Sequence, residues 1–407
     1  MKDKMKNIVN FLLLCILGVG FWSCGEDGLR TPLENNQDAP GPVTNVQVEN
    51  LAGKAKLSYT VPSQQDLLYV KAVYKLPHGK PMEVKSSYYN NWLMVEGFAN
   101  EGEYDVELYA VNRSEKVSEV TKVKIHPQES PIWDIYRSME VAPAFSGVNV
   151  RADNPERSEV AIQIMQKDEY GEWVTHPNSL YTATDDIAYI MRDASLDTVD
   201  QPFAFTVRDR WLNYTDTLYA NIKPLYETAI PKSGYVGMNL PGDAPHNPST
   251  SMAGMWDNNI WDWPSVYQTK NAHPGIHVIT FDIGRLAKLS RIVIWDYPEY
   301  FSSGGFGRTY YYLGNLKEFE VWGSDNPPAD GSFDNWHLMG KYNATKPSGL
   351  PFGQQNNEDY QTANAGLSWD FDVTAPKVRY LRIRSIKNWG GTTYMGIGEV
   401  QVYGDPR

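Results

Sequence analysis

A period of two, broken every few residues by a turn, constrains this chain more than any other feature. Val46-Gln47-Val48 alternates, Leu51-Ala52-Gly53 turns, and Lys56-Leu57-Ser58-Tyr59 alternates again. The pattern returns at YVKAVYKL (69–76) and EYDVELYAVN (103–112). In VAIQIMQKDEYGEWV (160–174) two runs flank Tyr170-Gly171, and in FAFTVRDRWLNYTDTLYANIKP (203–224) two runs flank Asn213. Further runs are IHVITFDIG (276–284), LSRIVIWDY (289–297), NLKEFEVWGS (315–324), KVRYLRIRSI (377–386) and EVQVYG (399–404). Successive side chains of a strand point to opposite faces, so each run offers one face to a core. Leu381 and Ile383 thus share one face, and Arg382 and Arg384 the other. No long helical periodicity appears. Many short strands with frequent turn signals predict an all-β protein built from β-sandwiches. The 407 residues allow two to four domains. The pattern divides them into sandwiches at 40–127, 128–228 and 235–407, behind a polar tether at 24–39.

The N-terminus reads as an address. Lys2, Lys4 and Lys6 precede a short apolar stretch, IVNFLLLCILGVGF, of signal-peptide size. Residues 1–23 are read as that peptide. Ser23-Cys24 resembles a bacterial lipobox, although Phe21-Trp22 is bulkier than the usual pattern. The resemblance implies cleavage before Cys24 and its acylation. Of the two cysteines, Cys15 lies inside the apolar stretch, so a mature chain has no partner with which Cys24 could form a disulfide. Gly25-Glu26-Asp27-Gly28 resembles the surface-export signal of Bacteroidetes lipoproteins, which implies lipid anchoring in the outer membrane, facing outward. The alternative is an ordinary secretory signal with an incidental cysteine.

Residues 40–127 resemble a fibronectin type III domain, through their opening proline run and the strand that begins at Tyr104, which looks like the corner tyrosine of such sandwiches. Arg208-Asp209-Arg210-Trp211 resembles the second domain of a group of Bacteroidetes lipoproteins of poorly defined function. The C-terminal block carries ordered matches to the discoidin, or coagulation factor 5/8 type C, fold. They are Trp256-Asp257-Asn258-Asn259, Thr280-Phe281-Asp282-Ile283-Gly284, Leu289-Ser290-Arg291-Ile292, Glu320-Val321-Trp322-Gly323-Ser324-Asp325, Trp336, Arg379-Tyr380-Leu381-Arg382-Ile383 and Gly398-Glu399-Val400-Gln401-Val402-Tyr403-Gly404. That resemblance implies a jelly-roll sandwich that binds ligands at loops on one end; bacterial members are often carbohydrate-binding modules of family 32. It also implies a structural calcium ion held by Asp257, Asn259, Asp262 and Glu399, hard oxygen donors that suit Ca²⁺. Asn258 and Asp262 stand where the family has glycine and threonine. A hydrogen-bonded loop without metal is the alternative, and the residues leave both open.

Eight of the 21 residues in WDYPEYFSSGGFGRTYYYLGN (295–315) are aromatic, among glycines and serines. Pro298 is expected to end a strand and open a long loop to residue 314. Flat rings cover the apolar face of a sugar while Arg, Asn, Asp and Glu take its hydroxyls. The expected ligand contacts are Trp389, Arg308, Phe306 and Tyr300, then Trp261 and Trp263. Trp256, Trp295 and Trp322 are assigned to the core, and Tyr310 to Tyr312 to the start of the next strand.

The net charge of −12 argues against a nucleic-acid partner, since phosphates need a basic face. No zinc-protease, nucleophile-elbow or phosphate-loop motif occurs, and three β modules leave no room for a catalytic domain. The expected function is therefore non-catalytic: a surface lipoprotein that captures polysaccharide through its C-terminal domain. The resemblance implies a TonB-dependent importer as partner. An adhesin for host protein or mucin is the second reading, and a glycoside hydrolase or lyase the third.

Overall fold

The computed structural model describes Pro32 and residues 34–299 and 307–407. Cys24, Tyr300 and Phe306 lie outside the described residues, as does the signal peptide. Among the described residues no helix is long and apolar enough to cross a membrane.

Seven strands form the first unit: β1 (Thr44–Leu51), β2 (Lys54–Thr60), β3 (Leu67–Lys75), β4 (Pro81–Ser87), β5 (Trp92–Glu96), β6 (Tyr104–Asn112) and β7 (Thr121–Ile125). They pair as β1-β2-β5 and β4-β3-β6-β7, two antiparallel layers. Alternation supplies the core between them: Leu57, Val70, Ala72, Val95, Val106 and Leu108 are fully buried. Tyr104 donates its hydroxyl to the Asn100 carbonyl at 3.0 Å and packs on Phe98, which pins the turn into β6 as a tyrosine corner does.

The second unit starts with a short helix, Pro131–Arg137, and continues through β8 (Glu140–Ala144), β9 (Gly147–Asp153), β10 (Val160–Lys167), β11 (Trp173–Thr175), β12 (Leu180–Thr182), β13 (Asp186–Arg192), β14 (Gln201–Asp209) and β15 (Leu218–Ile222). The sheets are β13-β9-β8 and β11-β10-β14-β15, with β12 on β10. Ile162, Ile164, Phe203, Phe205 and Val207 fill the space between them. The Arg208-Asp209-Arg210-Trp211 run joins this unit to the first. The Asp209 carboxylate accepts the backbone N–H of Trp211 and of Asn213, both at 2.9 Å, and so shapes the turn. That turn aims Trp211 at the first core, brings Arg210 to Glu96 at 2.7 Å and lets the Asn213 amide donate to the Gly97 carbonyl at 3.0 Å. Gly97 has a φ of 101°, and a Cβ there would come within 2.9 Å of the Trp211 ring.

The C-terminal unit takes its first strand upstream of the expected start at 235. Its elements are β16 (Thr228–Ala229), β17 (Val236–Met238), β18 (Tyr267–Gln268), β19 (His277–Asp296), β20 (Leu316–Ser324), β21 (His337–Asn343), β22 (Leu367–Asp370), β23 (Val378–Asn388) and β24 (Gly396–Asp405). A short helix, Asn357–Asn364, precedes β22. The two runs expected at 276–284 and 289–297 are one strand, β19. Its first half pairs with β23, its second half with β24 and β22, so a single strand serves both layers. The change of partner occurs around Gly284, at a φ of 79°, and the register slips between Asp282 and Ala287. A second slip between Leu289 and Arg291 flips the parity: Ile279, Phe281, Ile283 and Leu289 face the core before it, Ile292 and Ile294 after it. The turn-like composition near Gly284 reflects a bulge rather than a chain reversal.

Leu381 and Ile383 are in the core, and Arg382 lies on the opposite face, buried between the rings of Phe333 and Trp336. Of the three tryptophans assigned to the core, Trp256 packs against it. Trp322 does not: it is half-buried on the Arg384 side, edge-on to Phe333, with its indole N–H donated to Glu320. Trp295 is half-buried too and points away from Ile294, against Gly366. Strand β20 begins only at Leu316. Tyr310 to Tyr312 form turns instead, because Tyr311 and Leu313 have φ of 52° and 37°, outside the extended region.

Candidate functional site

Four chain segments meet at one end of the C-terminal sandwich, where β19 ends, β20 begins, β23 ends and β24 begins. The loop before β18, the segment before β20, the helix Asn357–Asn364 and the loop 388–395 all project there. Buried amides fix these loops. The Asn315 side chain donates to the Tyr297 carbonyl at 2.7 Å, while the Asn315 backbone carbonyl receives the Trp389 N–H at 3.0 Å. Asn388 donates to Thr392 and to the Tyr394 carbonyl, both at 2.8 Å. Gln355 clamps residues 308–310, donating to the Arg308 carbonyl at 2.7 Å and accepting the Tyr310 N–H at 3.0 Å. Lys346 turns its ammonium inward, onto the carbonyls of Leu350, Pro351 and Gln354.

On this scaffold Trp261, Asp262 and Arg308 come together. The Arg308 guanidinium lies over the Trp261 ring, 4.5 Å from its centroid, and 4.0 Å from the Asp262 carboxylate. The indole N–H of Trp261 donates to Asn364 Oδ1 at 3.1 Å, and the Tyr310 hydroxyl donates to the same oxygen at 3.0 Å. Trp261 keeps 37% of its surface exposed and Trp263 keeps 42%, with Tyr297 beside Trp263 at 6.0 Å. Among the described residues the Arg308 guanidinium donates no hydrogen bond. An exposed indole, a guanidinium that donates no hydrogen bond among the described residues and an exposed carboxylate thus share one surface, able to stack on a ring-shaped ligand and bond its hydroxyls.

Trp389 stands apart from that trio. Its ring meets the edge of Tyr311 at 5.3 Å, with the ammonium groups of Lys317 and Lys346 over it at 4.8 and 5.4 Å. It is half-buried and belongs with Tyr310, Tyr311, Tyr360 and Ala363 in a small satellite core. The sequence missed Asn364, Gln355, Asn315 and Asn388. Each acts through hydrogen bonds that only the fold brings together, and no spacing announces them.

Beneath the loops lies a buried carboxylate. Asp296 accepts the Leu316 N–H at 3.0 Å, and burial pushes its carboxyl up to about 7. Burial also raises the carboxyl of nearby Glu299.

The four expected calcium ligands do not converge on a cation. Asp257 accepts the Asn259 N–H at 2.9 Å, and Asn259 turns its own carbonyl to the N–H groups of Trp261 and Asp262, both at 3.1 Å. Asp262 is largely exposed, accepts the Asn259 side-chain amide at 3.2 Å and faces Arg308. Glu399, only 2% exposed, lies 2.6 Å from the Lys232 ammonium, and its other oxygen accepts the Asn258 N–H at 2.7 Å. Burial raises the Glu399 carboxyl against the pull of Lys232. Among the described residues no group of three His, Cys, Asp or Glu side chains is placed to hold a metal ion. This set, as folded, does not fit calcium.

Three family models match the chain, each described as a domain of unknown function: DUF4959 over residues 40–127, DUF5126 over 128–233 and DUF5000 over 256–404. No curated protein matches. Among solved structures, a SusE-like protein aligns at 25% identity over 67% of this chain and 98% of its own, with a TM-score of 0.43. CBM32-3 from a family 31 glycoside hydrolase of Clostridium perfringens aligns at 15% identity over 44% of this chain and 95% of its own, with a TM-score of 0.31. The C-terminal domain of a chitobiase from Bacteroides fragilis aligns at 15% identity over 44% and 97%, with a TM-score of 0.29.

Proposed function

We propose that this chain binds carbohydrate, without turning it over, at the loop end of its C-terminal sandwich. The observation that carries this reading is the Trp261–Arg308–Asp262 surface: an exposed ring beside unsaturated hydrogen-bonding groups of both signs. Sugars present an apolar C–H face rimmed by hydroxyls, and this arrangement matches both parts. The lipobox-like Ser23-Cys24 supports an acylated anchor in the outer membrane, facing outward. Tethered there, many copies raise the local concentration of polysaccharide, which suits delivery to a TonB-dependent importer.

Affinity electrophoresis of the chain from residue 25 through gels containing plant, host or microbial polysaccharides tests the reading. Retardation by one glycan class, with no reducing ends released on prolonged incubation, is the expected result. Release of reducing ends makes the chain a hydrolase or lyase. Free migration in every gel, with binding to mucin or host protein, makes it an adhesin.

A further inference from the structure

We infer that Lys232 supplies the positive charge around which the Trp261 loop is set, so that this loop is held by an ammonium group and needs no calcium. Lys232 sits in a single tight turn, Lys232–Gly234, directly after β16. Its Nζ reaches Glu399 Oε1 at 2.6 Å and donates to Asn258 Oδ1 at 2.8 Å. The Glu399 side chain is 3% exposed and that of Lys232 18%, so the pair is desolvated and strongly coupled. Asn258 is the residue that most needs holding, because its φ of 68° lies in the left-handed region. Both its backbone N–H and its side-chain oxygen end on the pair.

The rest of the loop is tied inward. A Cβ on Gly398 would come within 2.8 Å of the Ile260 carbonyl, so the absence of a side chain there lets the loop lie flat on β24. The Asx contacts of Asp257 and Asn259 then lead the backbone to Trp261. Calcium takes six to eight oxygens at about 2.3–2.6 Å. The oxygens of Asp257 and Asn259 here instead accept backbone hydrogen bonds, and Glu399 Oε1 faces the Lys232 ammonium as an ion pair at 2.6 Å. Lys232 is a positioning residue: it acts on the Trp261 loop through Glu399 and Asn258.

Thermal unfolding of the chain from residue 25, which keeps every described residue, tests this without any saccharide and so stands apart from the carbohydrate reading. The wild-type transition is expected to ignore millimolar calcium and excess EDTA alike. Lys232→Met strands a buried carboxylate and should lower the melting temperature of the C-terminal transition by about 10 °C. The pair Lys232→Met/Glu399→Gln removes both charges and should recover at least half of that loss. A calcium-induced rise or EDTA-induced fall in the wild type overturns the inference, and so does a Lys232→Met chain that melts with the wild type. Should Lys232→Met fail to fold, recovery in the double variant supports the pairing and its failure overturns it.

Discussion

Trp261→Ala is expected to weaken saccharide binding about 10- to 100-fold while leaving the melting temperature close to that of the wild type. The ring is exposed over more than a third of its surface and belongs to no core, so its removal leaves no cavity. What it removes is a flat face, worth roughly 1.5–3 kcal/mol against the C–H side of a sugar. Arg308→Lys should also weaken binding, since an ammonium neither stacks flat on the indole nor presents a planar fork. Trp389→Ala behaves differently. That ring packs on Tyr311 beneath two lysines, so its loss should lower stability together with any binding. Affinity electrophoresis beside calorimetry separates the three. Wild-type affinity in Trp261→Ala would place the ligand elsewhere on the molecule.

The second large effect is a pH dependence of stability that Asp296→Asn should abolish. Asp296 is buried, accepts a single hydrogen bond among the described residues, and has its carboxyl raised to about 7 from an ordinary value near 4. Its folded-state value lies above its unfolded-state value, so between about pH 4 and 7 the native state holds a proton that the unfolded chain has released. The stability from this group is complete below about pH 4 and is lost as pH rises through 7, about 4 kcal/mol in all. Asparagine accepts the same Leu316 N–H and cannot ionise. Asp296→Asn should therefore melt like the wild type at pH 4.5 and clearly above it at pH 8.5. Parallel curves across that range would refute the assignment. Above pH 7 the wild-type charge sits beneath Tyr310 and Tyr311, whose hydroxyls burial already pushes up and which this charge raises further.

Strands were legible wherever one face is buried, because a period of two then leaves its mark on composition. Leu57, Val106, Phe205 and Ile383 all stand where alternation puts them. The corner at Tyr104 was legible through the resemblance to fibronectin type III domains, and its bond to Asn100 agrees with it. Continuity of β19 was not, since Gly284 with Arg285 beside it reads as a turn and only the pairing partners reveal a bulge. Trp322 went to the wrong side because a tryptophan on a strand has the same composition on either face; Phe333, from the loop that follows β20, half-covers it. The exposed pair Trp261 and Trp263 was legible from rings in a polar loop. The role of Lys232 was not, because its partner Glu399 lies at the far end of the domain's sequence. Contacts of that span follow from topology and leave no local pattern.

Sharing one strand between two layers has a mechanical consequence. Residues 277–282 of β19 are bonded to β23 in one sheet and residues 288–296 to β24 in the other. Neither sheet can fray alone without loosening the backbone of its neighbour, so the C-terminal sandwich opens as one cooperative unit rather than layer by layer. That strand ends at Asp296, at the loop end of the sandwich.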